Sequence, residues 1–181
     1  MIRADARLVG GGFDQWIFRE ARADDIAAML EIRLAVQENA LSDPARVTHQ
    51  MCLDYLDAPG HAWVCCDDEQ ILGFAYAIAR DASIWALFVR PGHEGRGIGK
   101  ELLRLAVNWL FVQGCQELRL STTINTRADD FYRFQGWARG ELVGEGEVAY
   151  RLRRPVASTN LAALEPLIPD ESRRIEKTEP T

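Results

Sequence analysis

What the 181 residues lack sets the first limits on what they can be. No apolar run approaches the ~18 residues of a membrane span, and the first residues show no apolar signal-peptide core. A cytoplasmic address with no membrane partner is therefore expected. Cysteine is sparse: Cys52, Cys65, Cys66 and Cys115 have no zinc-ligand spacing, and adjacent residues of a strand point to opposite faces. These read as reduced, structural thiols, since a chain of this length can bury enough surface to fold without disulfide or metal. Positive charge is in deficit. The net charge of −6 argues against broad nucleic-acid binding and mildly favours a cationic partner.

Internal repeats are also missing, which leaves one domain with two tails. Residues 1–14 hold Gly10-Gly11-Gly12 and little pattern, and read as a flexible leader; residues 15–154 carry the domain; residues 155–181, with four prolines and mixed charge, read as a loosely ordered tail. Within the domain, Gln15–Glu20 predicts a strand. Asp24 and Asp25 cap a helix that turns Ile26, Met29, Leu30 and Leu34 inward. Asp43 and Pro44 open a second helix with Val47, Met51 and Tyr55 on one face, closed by Pro59-Gly60. His61–Cys66 and Ile71–Arg80 predict a hairpin across Asp67–Gln70. Ser83–Val89, almost wholly apolar, is expected to be buried on both faces. After a glycine-rich turn, Glu101–Gln113 predicts a helix with Leu103, Ala106 and Leu110 inward and Gly114 as its stop. Glu117–Ile124 is a strand; Thr126 and Asp129 have the spacing of a capping pair for a short helix ending at Gly136. Trp137–Val143 and Val148–Arg153 make a last hairpin.

The chemistry is concentrated in His93-Glu94-Gly95-Arg96-Gly97-Ile98-Gly99-Lys100. Three glycines in alternation before a helix leave backbone N–H groups bare and let a ligand approach closely, so the stretch reads as an anion cradle with Arg96 and Lys100 beside it. A P-loop would need glycine at Glu94 and a hydroxyl at Glu101. A dinucleotide fingerprint would need glycine at Lys100 or at Leu102. Neither fits. A plain strand-to-helix connection would need one glycine rather than three.

The remaining pattern, Glu94-Gly-Arg-Gly-Ile-Gly99 after Val89-Arg-Pro91, resembles motif A of the GNAT superfamily of acyl-CoA-dependent N-acyltransferases. Asn125-x-x-Ala128-x-x-Phe131-Tyr132-x-x-x-Gly136-Trp137 is similar to its motif B. The predicted element order extends the similarity over about Trp16–Arg154. The resemblance implies an α/β fold: a GNAT-like mixed, mostly antiparallel sheet with a splayed central strand pair and helices on both faces. It implies acetyl-CoA as cosubstrate, with the pyrophosphate on the amides of residues 94–100. Glu94 stands where the family has Gln or Arg, so its carboxylate must turn away.

By the same resemblance, a bulge in Ser83–Val89 frees the backbone of Leu87, Phe88 and Val89 for the pantetheine arm, Asn125 touches that arm, and Tyr132 lies near the thioester sulfur. The implied reaction is acetyl transfer to a primary amine without a metal. Tyr132 gives a proton or a hydrogen bond to the leaving thiolate. The acceptor is expected to be a small amine, with protein amines second. Many relatives carry an acid on the central strand, and Ser83–Val89 has none. Glu20, Glu38, Asp81 and Glu147 are the candidate bases, Glu38 first; His61 and His93 read as surface or edge residues. The missing acid keeps a catalytically silent acyl-CoA-binding module open, and a homodimer is common among proteins of this kind.

Overall fold

The computed structural model describes residues 16–36, 47–56, 60–144 and 146–155. The leader, the tail from 156 on, Glu38 and the Asp43-Pro44 helix start lie outside them. Strands β1 (Ile17–Glu20), β2 (Gly60–Asp67), β3 (Gln70–Ile78), β4 (Ser83–Val89), β5 (Glu117–Thr123), β6 (Ala138–Val143) and β7 (Glu147–Arg153) form one sheet. Their spatial order is β1-β2-β3-β4-β5-β7-β6. Only β4 and β5 run parallel; every other neighbour is antiparallel. Helices α1 (Ile26–Ala35), α2 (His49–Leu56), α3 (Ile98–Val112) and α4 (Arg127–Phe134) complete the fold. Among the described residues no helix is long and apolar enough to cross a membrane.

A core lies on each face of the sheet. On one, Ile98, Leu102, Leu103, Ala106 and Leu110 of α3 pack with Cys65, Leu118, Leu120, Tyr132, Trp137 and Tyr150. On the other, Ile26, Met29 and Ile32 of α1 and Cys52 of α2 pack with Val64, Cys66, Phe74, Tyr76 and Ala86. Each fully buried aliphatic side chain contributes about 1.5–3 kcal/mol. Cys65 and Cys66 do face opposite ways, and all four cysteines are free thiols.

Several local expectations shift. Ile32 takes the inward place expected for Leu34, which is exposed, because the helix proper starts at Ile26 after a 3₁₀ turn at Ala23–Asp25. Asp25 is held by both Arg19 Nη atoms (2.6 and 2.8 Å) and by the Arg22 amide (2.7 Å). Helix α2 starts at His49, with the Thr48 hydroxyl accepting from the Met51 amide at 3.1 Å, so Val47 precedes it. The fully buried strand is β3, from Ile71 to Ile78. In β4 only Ile84 and Ala86 are buried, because its other edge borders a gap.

Gly73 fixes how α3 sits on the sheet. A Cβ there would lie 2.9 Å from the Phe88 carbonyl oxygen and 3.1 Å from Ile98 Cγ2. Only glycine lets the first turn of α3 rest directly on β3.

Candidate functional site

The gap is built by one extra residue. Tyr76 pairs with Ala86, but the next residue, Ala77, pairs with Ile84, so Trp85 is a bulge. Trp85 and Ala86, neighbours in sequence, both pack on the α1–α2 face. Bulges sharpen the local twist, and β4 swings away from β5. The two strands share a single register pair, Ser83 with Arg119, tied also by the Arg119 amide to the Ala82 carbonyl at 2.9 Å. Beyond it β5 keeps its ladder with β7, while Leu87, Phe88 and Val89 keep theirs with β3. The sheet is open between them.

The glycine loop closes the outer end of this opening. Gly95 and Gly97 have φ of +72° and +89°, which a side chain would resist. Gly97 is the N-cap of α3 and has no side chain to cap it. The helix begins at Ile98 rather than at Glu101, so Ile98, Gly99 and Lys100 contribute first-turn amides that lack helical acceptors. A Cβ on Gly99 would meet Val89 Cγ2 at 3.5 Å and Phe131 Cζ at 3.8 Å. Beside them His93 Nδ1 is buried with no hydrogen-bond partner. Bare amides, an orphan imidazole nitrogen and a site that a methyl would narrow all fit an anionic, extended ligand. The Glu94 carboxylate is engaged rather than turned away, accepting from the Gly92 amide (2.7 Å) and Arg127 Nη2 (3.2 Å). Its own amide, Gly92 and Arg127 hold its pKa below the usual carboxylate range.

These elements enclose a cavity of about 550 Å³. Of the residues singled out from sequence, Leu87, Phe88, Val89, Glu94, Gly95, Gly97, Ile98, Gly99, Lys100 and Tyr132 line it. Arg96 and Asn125 do not; both are exposed. Val36, His93, Arg127, Ala128 and Phe131 join the wall without having been expected. The position of His93 inside the glycine loop was the available signal for it.

Helix α4 forms the opposite wall. Thr126 caps it, its hydroxyl accepting from the Asp129 amide at 3.3 Å. The Asp129 carboxylate reaches past Thr126 to the Asn125 amide (3.0 Å) and is buried. Arg139 donates to both of its oxygens (3.0 and 3.2 Å), and Tyr150 donates a short hydrogen bond to the same carboxylate. Arg139 first, then Tyr150, hold Asp129 far below the usual carboxylate range. One turn on, Tyr132 is buried, with ring centroids 5.2 Å from Phe131, 6.0 Å from Trp137 and 5.8 Å from Tyr150. Gly136 ends the helix so that the Trp137 amide returns to the Tyr132 carbonyl at 3.1 Å. Burial alone pushes the Tyr132 phenol up. At neutral pH the Tyr132 phenol therefore keeps its proton.

A second cavity, of about 630 Å³, opens at the base of the splay and includes Asp81, Ser83, Trp85, Arg119, Ser121 and Arg151. Leu118 and Leu120 face the α3 core, so Arg119 and Ser121 point to the other face. The candidate bases within the described residues are engaged: Glu20 with His61 Nε2 (3.2 Å), Asp81 with Arg80 (3.3 Å), Glu147 with the Ser121 hydroxyl (2.8 Å). His61 stacks on Trp109 at 5.4 Å, outside both cavities. Among the described residues no group of three His, Cys, Asp or Glu is placed to hold a metal.

Comparison with known proteins follows from this geometry. The model of the acetyltransferase (GNAT) family matches residues 26–137. A curated relative, thialysine N-epsilon-acetyltransferase from Bos taurus, is 25% identical over 166 residues, covering 71% of this chain and 98% of that protein. Among solved structures, PaiA N-acetyltransferase from Thermoplasma acidophilum, in complex with coenzyme A, superposes with a TM-score of 0.64 at 16% identity, covering 77% of this chain and 99% of that one. The ribosomal-protein-S18-alanine N-acetyltransferase from Escherichia coli gives 0.64 at 15% identity, covering 80% and 97%.

Proposed function

The chain belongs to the GNAT family of acetyltransferases, and from that premise we propose that it transfers an acetyl group from acetyl-CoA to a primary amine of a small molecule. The observation that carries the reading is the opening between β4 and β5, with bare amides at its outer end and a protonated phenol on its wall. Acetyl-CoA, when bound, supplies an acyl group activated as a thioester. The first-turn amides of α3 and the loop at Gly95 and Gly97 hold its phosphates, with Lys100 and His93 beside them. The free backbone edge of Leu87–Val89 holds the pantetheine arm in the manner of an added strand, and a backbone N–H there polarises the acyl oxygen. Tyr132 donates a hydrogen bond to the departing sulfur. Burial makes the phenol hold its proton more firmly than a thiol of reference pKa about 8.5, so it steadies the thiolate without giving up the proton. The proton shed by the amine nitrogen converts the thiolate to thiol through water. Arg96 and Asn125 stay at the rim, where they meet only outlying parts of the cosubstrate.

The amine enters from the second cavity, on the other face of the sheet. An alkylamine of pKa about 10.4 is neutral in about one molecule in 2,500 at pH 7, a barrier of about 4.6 kcal/mol. No described carboxylate stands free on the wall beside Tyr132, so water carries the amine proton away. The name of the bovine relative, which acts on the Nε of thialysine, supports a small-molecule acceptor. The lack of an acid on β4 favours one other reading, a catalytically silent acyl-CoA-binding module.

Titration with acetyl-CoA against NADH and ATP tests the donor site. A ligand at 100 times its Kd adds about 2.7 kcal/mol, a rise in Tm of about 5–11 °C for a chain of this size. No rise at millimolar acetyl-CoA would overturn the reading. A rise without thiol release across an amine panel would leave the silent module.

A further inference from the structure

Most arginines near the site have a carboxylate partner: Arg19 has Asp25, Arg90 has Glu31, Arg127 has Glu94 and Arg139 has Asp129. Arg33, half-buried on α1, has none among the described residues, and its Nε is buried without any hydrogen-bond partner. Its guanidinium lies over the Phe88 ring at 4.9 Å and the Trp85 ring at 5.9 Å. Tyr55 meets Trp85 edge-on at 4.9 Å and steadies that ring from α2. Burial lowers the pKa of Arg33, opposed only by the Cys52 thiol, which is itself pushed up by burial and so is neutral.

A half-buried guanidinium without a counter-ion is costly to the fold. Stacking on aromatic faces offsets part of that cost and fixes the plane of the group. What stays unsatisfied is the buried Nε–H, one donor of a guanidinium whose matching acceptor is a planar pair of oxygens. The position is informative as well. Phe88 lines the first cavity and Trp85 the second, so Arg33, which lines neither, stands on the α1 side against one ring from each stretch of β4.

We propose that the acceptor is an amine that also carries a carboxylate, and that Arg33 binds this carboxylate and selects for it. The substrate class is then amino acids and their close relatives, not simple polyamines. This rests on the acetyltransferase reading above and narrows its acceptor. Arg33 touches neither the sulfur nor the amine; it fixes where the amine points.

The test is a panel of amino acids, each with its decarboxylated counterpart, such as lysine with cadaverine and ornithine with putrescine. Kinetics and calorimetric binding in the presence of CoA are measured on the full chain and on its Arg33→Gln and Arg33→Lys variants. The wild type is expected to favour the carboxylate member of at least one pair by about 100-fold in kcat/KM. Arg33→Gln brings that pair to near parity through the KM of the amino acid, with the KM of acetyl-CoA unchanged; Arg33→Lys retains part of the preference. Calorimetry reads the same difference where turnover is absent, so a failure of catalysis is told apart from a failure of recognition. Preference for the decarboxylated members, an equal loss for both, or a rise in acetyl-CoA KM instead would overturn the proposal. A variant that melts early is replaced in this comparison by Arg33→Lys.

Discussion

Glu94 on the glycine loop and Arg127 on the first turn of α4 form a 3.2 Å ion pair from opposite walls of the main cavity. On the proposed reading of the loop as the cosubstrate's phosphate cradle an acid there is a liability, and this contact offsets part of its charge. Exposed pairs of this type add little to stability, so the effect belongs to binding. Glu94→Gln keeps the hydrogen bond to Gly92 and removes a charge. It is expected to tighten acetyl-CoA binding about threefold at low salt and less at 0.5 M, as read by calorimetry; weaker binding would make Glu94 a ligand after all.

The cradle is tested where side chains are absent. Gly99→Ala places a methyl at ordinary contact distance from Val89 and Phe131, so the fold is expected to keep its Tm within a few degrees while acetyl-CoA affinity falls about tenfold. Gly97→Glu adds a negative charge at a φ of +89° and is expected to abolish binding. Wild-type affinity in both would remove the loop from the site.

Tyr132→Phe is expected to lower kcat by about 100-fold with little change in acetyl-CoA affinity. Because burial raises the Tyr132 pKa, the phenol keeps its proton through the alkaline range in which the amine loses its own. The logarithm of kcat/KM should therefore climb about one unit per pH unit from pH 7 to 9. A plateau near neutrality would instead reveal a general base, with Glu38 the first residue to substitute.

Asp129→Asn should cost about 2 kcal/mol, seen as a lower denaturation midpoint, because Arg139 and Tyr150 lose their charged acceptor. The native pKa of Asp129 is depressed, so its contribution to stability is complete above the unfolded value of about 3.9. It is lost as pH falls from there toward the native one. The variant should accordingly show a flatter decline in stability below pH 4.

Gly73→Ala should destabilise the fold by about 1–3 kcal/mol, since the added Cβ has backbone 2.9 Å away. It should also weaken acetyl-CoA binding by lifting the first turn of α3.

Much of this was legible in the residues because it is local. The order of strands and helices, the Thr126 cap and the stops at Gly114 and Gly136 follow from patterns within one turn or one strand. So did the glycine loop and Tyr132. What stayed hidden depends on how elements meet. Leu34 and Ile32 both fit an apolar stripe, and only the packing of α1 on β3 decides between them. β4 reads as a buried strand by composition, but the missing β5 ladder leaves it half-open. The second cavity gathers residues from β4, β5, β6 and β7, and that Arg33 has no carboxylate partner among the described residues depends on how elements meet.

The bulge at Trp85 also has a genetic reading. Around it the faces alternate normally: Ile84, Leu87 and Val89 toward α3, Ala86 and Phe88 toward α1. Deleting the single codon for Trp85 would leave each of these side chains on its present face and straighten the strand, so that β4 could zip to β5 along its length. Substitutions throughout the opening can accumulate with graded effects, whereas this one deletion would yield a better sheet without a slot. The slot is, in that sense, encoded by three nucleotides.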